Sequence, residues 1–206
     1  MTPHNDQLFW NAAARLYAPL QEHGNRRLYQ QLTELIGKLI PSDARVLEVG
    51  CGTGQLTIPL CEHAALWEAC DYAPKMVERA KKRCADLPVS FSVQDAANLS
   101  YADATWDMVL IANTLHVLPD PATTLEELRR VLVPGGTLVA PTFVSGESLT
   151  EAPVVKLLRH TITSYHAWTA AELDQLVRHA GFEVILSETI DNASLPERLL
   201  VAVAAV

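Results

Sequence analysis

The sequence lacks the cysteine arrangements that hold metals or staple small secreted domains. Its four cysteines, Cys51, Cys61, Cys70 and Cys84, stand 10, 9 and 14 positions apart, with no Cys-x-x-Cys pair and no histidine at ligand spacing beside them. No metal is expected, and free thiols in a reducing cytoplasm are. The chain is also poor in basic charge: 16 Lys and Arg stand against 24 Asp and Glu, a formal net of −8, and the longest basic run is Lys81-Lys82-Arg83. Lys and Arg contacts to phosphate supply most non-specific affinity for nucleic acid, so a nucleic-acid substrate is not expected. No segment reaches the roughly 20 apolar residues of a membrane helix, and the first six residues have neither the basic start nor the apolar stretch of a secretory leader. The expectation is a cytoplasmic protein away from the membrane. With 49% hydrophobic and only 19% charged residues it has the material for a sizeable core. At 206 residues, with no internal repeat or low-complexity linker, one globular unit is expected. Nothing in the sequence reads out an oligomeric state.

What is present is an alternation of two periodicities. Residues 1–40 read as a helical cap: Phe9, Ala13, Leu16, Tyr17 and Leu20 recur at helical spacing, as do Leu28, Leu32, Leu35, Ile36 and Leu39 after Gly24, and Pro41 closes the region. From residue 41 to 206 a single unit is expected. It has short apolar runs at Val46 to Val49, Ala64 to Cys70, Val89 to Val93, Met108 to Ala112 and Thr137 to Ala140. Between them lie amphipathic stretches with helix-start signals, Pro74 before Met76, Val77 and Ala80, and Asp120-Pro121 before Leu125, Leu128 and Leu132. Continuous apolar strands alternating with helices predict a mostly parallel, doubly wound α/β sheet with both faces covered. The tail departs from this alternation. Thr169 and Glu172 form a capping box, Gly181 ends that helix, and Glu183 to Ile190 and Leu199 to Val206 follow with only a loop between them. They predict an antiparallel pair whose last strand inserts into the sheet, seven strands in all.

The most informative segment is Val46-Leu47-Glu48-Val49-Gly50-Cys51-Gly52-Thr53-Gly54, three glycines between a strand and the helix carrying Leu56, Ile58 and Leu60. Glycine belongs where a loop bends sharply and where a ligand approaches the main chain without a Cβ in the way. The spacing is GxGxG, not the GxGxxG of dinucleotide folds. A carboxylate at Glu48 is also an odd neighbour for a pyrophosphate and a suitable one for a cationic or zwitterionic ligand.

This segment resembles the first motif of the class I S-adenosylmethionine-dependent methyltransferases, and the likeness runs on through residues 44 to 144. It implies a Rossmann-like fold that binds S-adenosylmethionine and yields S-adenosylhomocysteine, with methyl transfer to a small-molecule acceptor by in-line displacement. Carried onto this sequence, it implies cofactor contacts from Glu48, Gly50, Gly52 and Gly54. Asp71 would accept from the ribose hydroxyls, Tyr72 and Met76 would flank the adenine, Asp95 would meet the adenine amino group, the Ala96 N–H would meet the ring, and Asn113 would lie at the methionine end. The Pro134-Gly135-Gly136 turn before the fifth strand is a further likeness, with a structural role only.

The donor's methyl is already electrophilic, so the protein has mainly to align a nucleophile and exclude water. If the acceptor must lose a proton, His116, on the rim after the fourth strand, is the candidate base; an equal alternative is that it packs or orients the donor. Tyr17 and Trp10 are candidates for a lid over the donor, Tyr17 with a catalytic role. Trp10, His116, Tyr165 and Trp168 are candidates to line an acceptor pocket, with His160 and His166 nearby. Two other functions stay open: an NAD(P)-binding oxidoreductase of the same fold, and a protein that binds S-adenosylmethionine without turnover.

Overall fold

A computed structural model describes residues 7–14, 26–144, 165–190 and 197–204. Residues 7–14 form α1, and α2 spans Arg26–Gly37. Then follow β1 (Arg45–Val49), α3 (Thr57–Leu60), β2 (Leu66–Asp71), α4 (Pro74–Arg83), β3 (Val89–Val93), β4 (Trp106–Leu110), α5 (Pro121–Val131), β5 (Leu132–Val139) and β6 (Thr142–Phe143). The chain ends with α6 (Ala170–His179), β7 (Phe182–Ile190) and β8 (Glu197–Ala204). No helix among the described residues is long and apolar enough to cross a membrane.

One sheet in the order β3-β2-β1-β4-β5-β8 organises the molecule, with β7 on the far side of β8 and β6 extending the β5 edge along the start of β8. The β1–β2, β1–β4, β2–β3 and β4–β5 pairs are parallel, whereas β8 is antiparallel to both β5 and β7. The expected inserted last strand is therefore found, and the sheet has its seven strands once the two-residue β6 is read as the continuation of β5 past Pro141. Strand alternation splits the core in two. Leu47 and Val49 of β1 join Val109, Leu125, Leu128, Leu138, Leu173 and Val177 on one face. Val46 joins Leu32, Ile36, Leu60, Trp67 and Met108 on the other. Burial on both faces is why these strands read as unbroken apolar runs.

Two expectations need correction. The Pro134-Gly135-Gly136 turn lies within β5, not before it. Trp106 pairs with Leu132 and Met108 with Thr137, so a short step on β4 faces a longer one on β5, and the turn bulges out of the ladder. The helical cap expected over residues 1–40 also divides. Leu28, Leu32 and Ile36 of α2, at i, i+4 and i+8, are buried among sheet residues, so α2 is a core helix. Among the described residues of this region, only those of α1 lie at the site described next.

Helix signals hold where side chains can reach the local backbone. Asp120 caps α5 by accepting from the Thr123 N–H at 3.1 Å and the Thr123 hydroxyl at 2.7 Å. Thr169 and Glu172 form the reciprocal capping box of α6.

Candidate active site

A cleft of about 250 Å³ opens at the carboxyl ends of β1, β2, β3 and β4, where the strand order reverses between β1 and β4. That is where open α/β sheets bind ligands, because loops there diverge to opposite faces. Its floor is the glycine turn. Gly50, Gly52 and Gly54 all have positive φ, 72°, 55° and 85°. The Gly50 and Cys51 N–H groups donate to the Cys70 carbonyl at 2.8 and 3.0 Å, folding the turn over the end of β2. At Gly50 there is also no room: a Cβ would lie 2.7 Å from Thr114 Cγ2 and 2.9 Å from Thr114 Cβ. Arg83, at the end of α4, donates to the Thr53 carbonyl at 2.9 Å and holds the outer side of the turn.

Asp71, the last residue of β2, is the hub. Its two carboxylate oxygens accept from the Gly52 N–H at 2.9 Å and the Ala73 N–H at 2.8 Å, so it joins the glycine turn to the start of α4 while lining the cleft. Burial raises its pKa against the pull of those two N–H groups. After β3, Asp95 accepts from the Ala97 N–H at 3.0 Å in a tight turn and lines the cleft with Gln94, Ala96 and Ala97. Gln94 is held by Ser100, donating to its hydroxyl at 2.8 Å. After β4, Asn113 sits at φ 50°, tolerable for asparagine, with its N–H donated to Pro141 at 2.7 Å.

The helix α1 closes one side. Trp10 lines the cleft and packs with Ala14, Ala73 and Met76. Gln7 donates to the Tyr72 carbonyl at 2.8 Å, and Asn11 accepts the Lys75 N–H at 3.0 Å. Ala73, the N-cap residue of α4, offers no capping side chain, so Asn11 does the capping from another helix. Asn11→Ala should therefore cost about 1 kcal/mol of stability, the usual loss of a cap, measured by chemical denaturation.

Gly50, Gly52, Asp71, Tyr72, Met76, Asp95, Ala96, Asn113 and Trp10 are thus brought together around one cleft. Gly54 is not among them; it closes the turn against Cys84. Nor is Glu48, whose carboxylate turns to the other face of β1 and, 3% exposed, accepts from the Thr57 hydroxyl at 2.6 Å and the Trp67 indole N–H at 3.0 Å. Burial pushes its pKa up to about 7 in spite of both donors. His116 also lies off the cleft. It is buried in a short 3-10 turn, Leu115–Val117, with Phe143 and Tyr165 against it edge to face at ring-centre distances of 5.8 and 5.6 Å. Its Nδ1 has no hydrogen-bond partner among the described residues, and burial lowers its pKa to about 4. Such an imidazole is a weak base at neutral pH, so its surroundings favour the other role the sequence offered, packing, over that of a base. Tyr165 and Trp168 do not line the cleft either; Trp168 stacks on His166, and His166 is tied to the Leu118 carbonyl at 2.9 Å. Tyr17 and His160 lie outside the described residues.

Several lining residues were not legible in advance. Asp120 carried the signal only of a helix cap and Cys70 only of a strand end, and Gln94 and Val117-Leu118-Pro119 carried none. Topology alone places them, since each follows or ends a strand at its carboxyl edge. Together the described lining residues include three acids, Asp71, Asp95 and Asp120, and no Lys, Arg or His. That charge set is hostile to a pyrophosphate and suited to a cation.

Residues 46–136 match the family model described as a methyltransferase domain. Residues 46–136 thus carry the methyltransferase domain of the class I S-adenosylmethionine-dependent family. It is 35% identical over 121 residues, 59% of the chain and 44% of the relative, to a demethylmenaquinone methyltransferase of Paenarthrobacter aurescens. It is 32% identical over 166 residues, 78% of the chain and 66% of the relative, to the Deinococcus radiodurans protein of that name. The chain thus spans less than two thirds of either methyltransferase's own length. The fold matches the putative methyltransferase solved in complex with the Haloferax volcanii Trm112 methyltransferase activator, with a TM-score of 0.78, 21% identity, and coverage of 96% of this chain and 98% of that one.

Proposed function

We propose that the cleft binds S-adenosylmethionine and that the protein transfers its methyl group to a small-molecule acceptor. The observation that carries this reading is a cleft whose described lining has three acids and no Lys, Arg or His, built on a turn where a side chain at Gly50 has no space. The fit is chemical: the turn leaves main-chain N–H groups and open backbone for a nucleoside's tail, Asp71 keeps lone pairs beyond the two it uses, and Tyr72, Met76 and Trp10 form an apolar wall for a ring. When bound, the donor supplies an electrophilic sulfonium methyl.

The chain's own residues then bind, orient and exclude water. Asp71 holds the ribose end through its remaining lone pairs, and Asp95 and the Ala96 N–H read the adenine edge. Asn113 and the glycine turn hold the methionine end. Trp10 and α1 cover the ring side. His116, neutral and packed between Phe143 and Tyr165, shapes the Asn113–Leu118 segment instead of accepting a proton. The acceptor named for the two relatives, demethylmenaquinone, is largely apolar, and so is the Val117-Leu118-Pro119 wall, which supports an apolar acceptor.

Calorimetry with S-adenosylhomocysteine tests the donor site. Asp71→Ala should weaken binding by about 1.5 to 3 kcal/mol, roughly ten- to a hundredfold, as expected for lost hydrogen bonds to a charged group. Unchanged affinity would show that Asp71 is misassigned, and binding of NAD with no response to either donor form would replace the reading by an oxidoreductase. Turnover is tested by following S-adenosylhomocysteine release with quinone-like acceptors. Donor binding without release on any of them would leave a binding protein.

A further inference from the structure

We propose that Glu48 discriminates the positively charged methyl donor from its neutral demethylated product. The inference rests on the donor-binding reading and adds to it a residue that touches neither ligand. Glu48 stands two positions before Gly50, buried on the opposite face of β1 from Val49, which lines the cleft. Thr57 and Trp67 both donate to the same carboxylate oxygen, and both are neutral donors. Among the described residues no Lys, Arg or His bonds to it. The groups that face it electrostatically are Asp71 of β2 and the thiols of Cys51, Cys61, Cys70 and Cys84, either acidic or uncharged.

A buried carboxylate with donors but no counter-cation is an incomplete ion pair. Beside it lies a cleft whose described lining carries three more acids and no cation. The missing positive charge arrives with a sulfonium and is gone from the thioether product, which otherwise has the same adenosine and amino-acid parts. Ionised Glu48 therefore favours the donor, whereas in the product complex the carboxyl is better protonated. Burial places its titration at about 7, so both states are reached near neutral pH. Donor binding should release a proton from Glu48 to solvent, and the exchange of donor for product should return one. No bond other than the carboxyl O–H is made or broken in this step.

The experiment is calorimetry of wild type and Glu48→Gln with S-adenosylmethionine and S-adenosylhomocysteine at pH 6.5 and 8.5, in two buffers of different protonation enthalpy. In the wild type, a fraction of a proton should be released on binding the donor near pH 7 and less on binding the product. The product-to-donor ratio of Kd should rise several-fold between the two pH values. In Glu48→Gln that ratio should be independent of pH and about tenfold lower than wild type at pH 8.5, the scale of one screened charge. Equal weakening of both ligands, with the ratio unchanged, would reduce Glu48 to a structural tie and overturn the proposal. Failure of the wild type to bind either ligand would instead overturn the donor-binding reading. If Glu48→Gln does not fold, the wild-type proton release decides alone, and its absence counts against the proposal.

Discussion

Gly50→Ala should lose about 2 to 5 kcal/mol of stability and all measurable donor affinity. Two costs combine. An alanine at φ 72° pays roughly 1 to 2 kcal/mol for the left-handed backbone, and forcing a methyl into occupied space adds about 1 to 3 kcal/mol. The occupied space is Thr114, whose side chain fills the position of the missing Cβ. The turn has little freedom to retreat, because the Gly50 and Cys51 N–H groups are bonded to the Cys70 carbonyl and the Gly52 N–H to Asp71. The double variant Gly50→Ala/Thr114→Gly separates the two terms: it should recover the steric part and keep the backbone part. Thermal unfolding and calorimetry with S-adenosylhomocysteine read both. A Gly50→Ala protein as stable as wild type would mean that the turn is softer than its hydrogen bonds imply.

The second large effect is on the pH dependence of stability. Glu48 has an ordinary value of 4.5 and a folded value of about 7, so between these the folded state holds a proton the unfolded chain has lost. Its contribution is therefore fullest below pH 4.5 and is lost as pH rises through 7, a change of about 3 kcal/mol. His116 runs the other way. With an ordinary value of 6.5 and a folded value of about 4, it stabilises above 6.5 and loses that contribution, again about 3 kcal/mol, as pH falls through 4. Between 4.5 and 6.5 the two slopes oppose each other, so these two contributions should nearly cancel there.

Removing either group should expose the other. Glu48→Gln, which can still accept from Thr57 and Trp67 through its amide oxygen, should be more stable than wild type by about 2 to 3 kcal/mol at pH 8, a rise in Tm of roughly 4 to 12 °C. It should then fall steeply on acidification below 6.5. His116→Phe should instead lose stability as pH rises from 4.5 to 7. Chemical denaturation of the three proteins at half-unit pH steps checks this; parallel profiles for all three would refute the burial of both groups. The Glu48 effect also bears on function, because stability sacrificed to an unpaired buried carboxylate is recovered when a cationic ligand binds.

Local chemistry made much of this protein readable from its residues. Apolar runs of strand length between amphipathic stretches specified a doubly wound sheet, since only a strand buried on both faces is apolar throughout. The tail pair joined by a loop specified the antiparallel end. Three glycines after the first strand pointed to a ligand-binding turn, and the family resemblance carried onto Asp71 and Asp95, at or just past the ends of later strands. Pro74, Asp120 and the Thr169–Glu172 pair marked helix starts because capping is a matter of a few neighbouring atoms.

Only tertiary structure decided the rest, and each case has one physical reason: which groups meet across the fold depends on contacts between segments far apart in the chain. Glu48 and Val49 are neighbours in β1, yet alternation sends one to Trp67 and Thr57 and the other to the cleft. His116 follows the fourth strand as expected, but packing against Phe143 and Tyr165 desolvates it and lowers its basicity. The helix α2 looks like α1 in periodicity and differs only in what its apolar stripe meets. Thr114 behind Gly50, and Asn11 capping a helix 64 positions away, leave no mark in any local pattern.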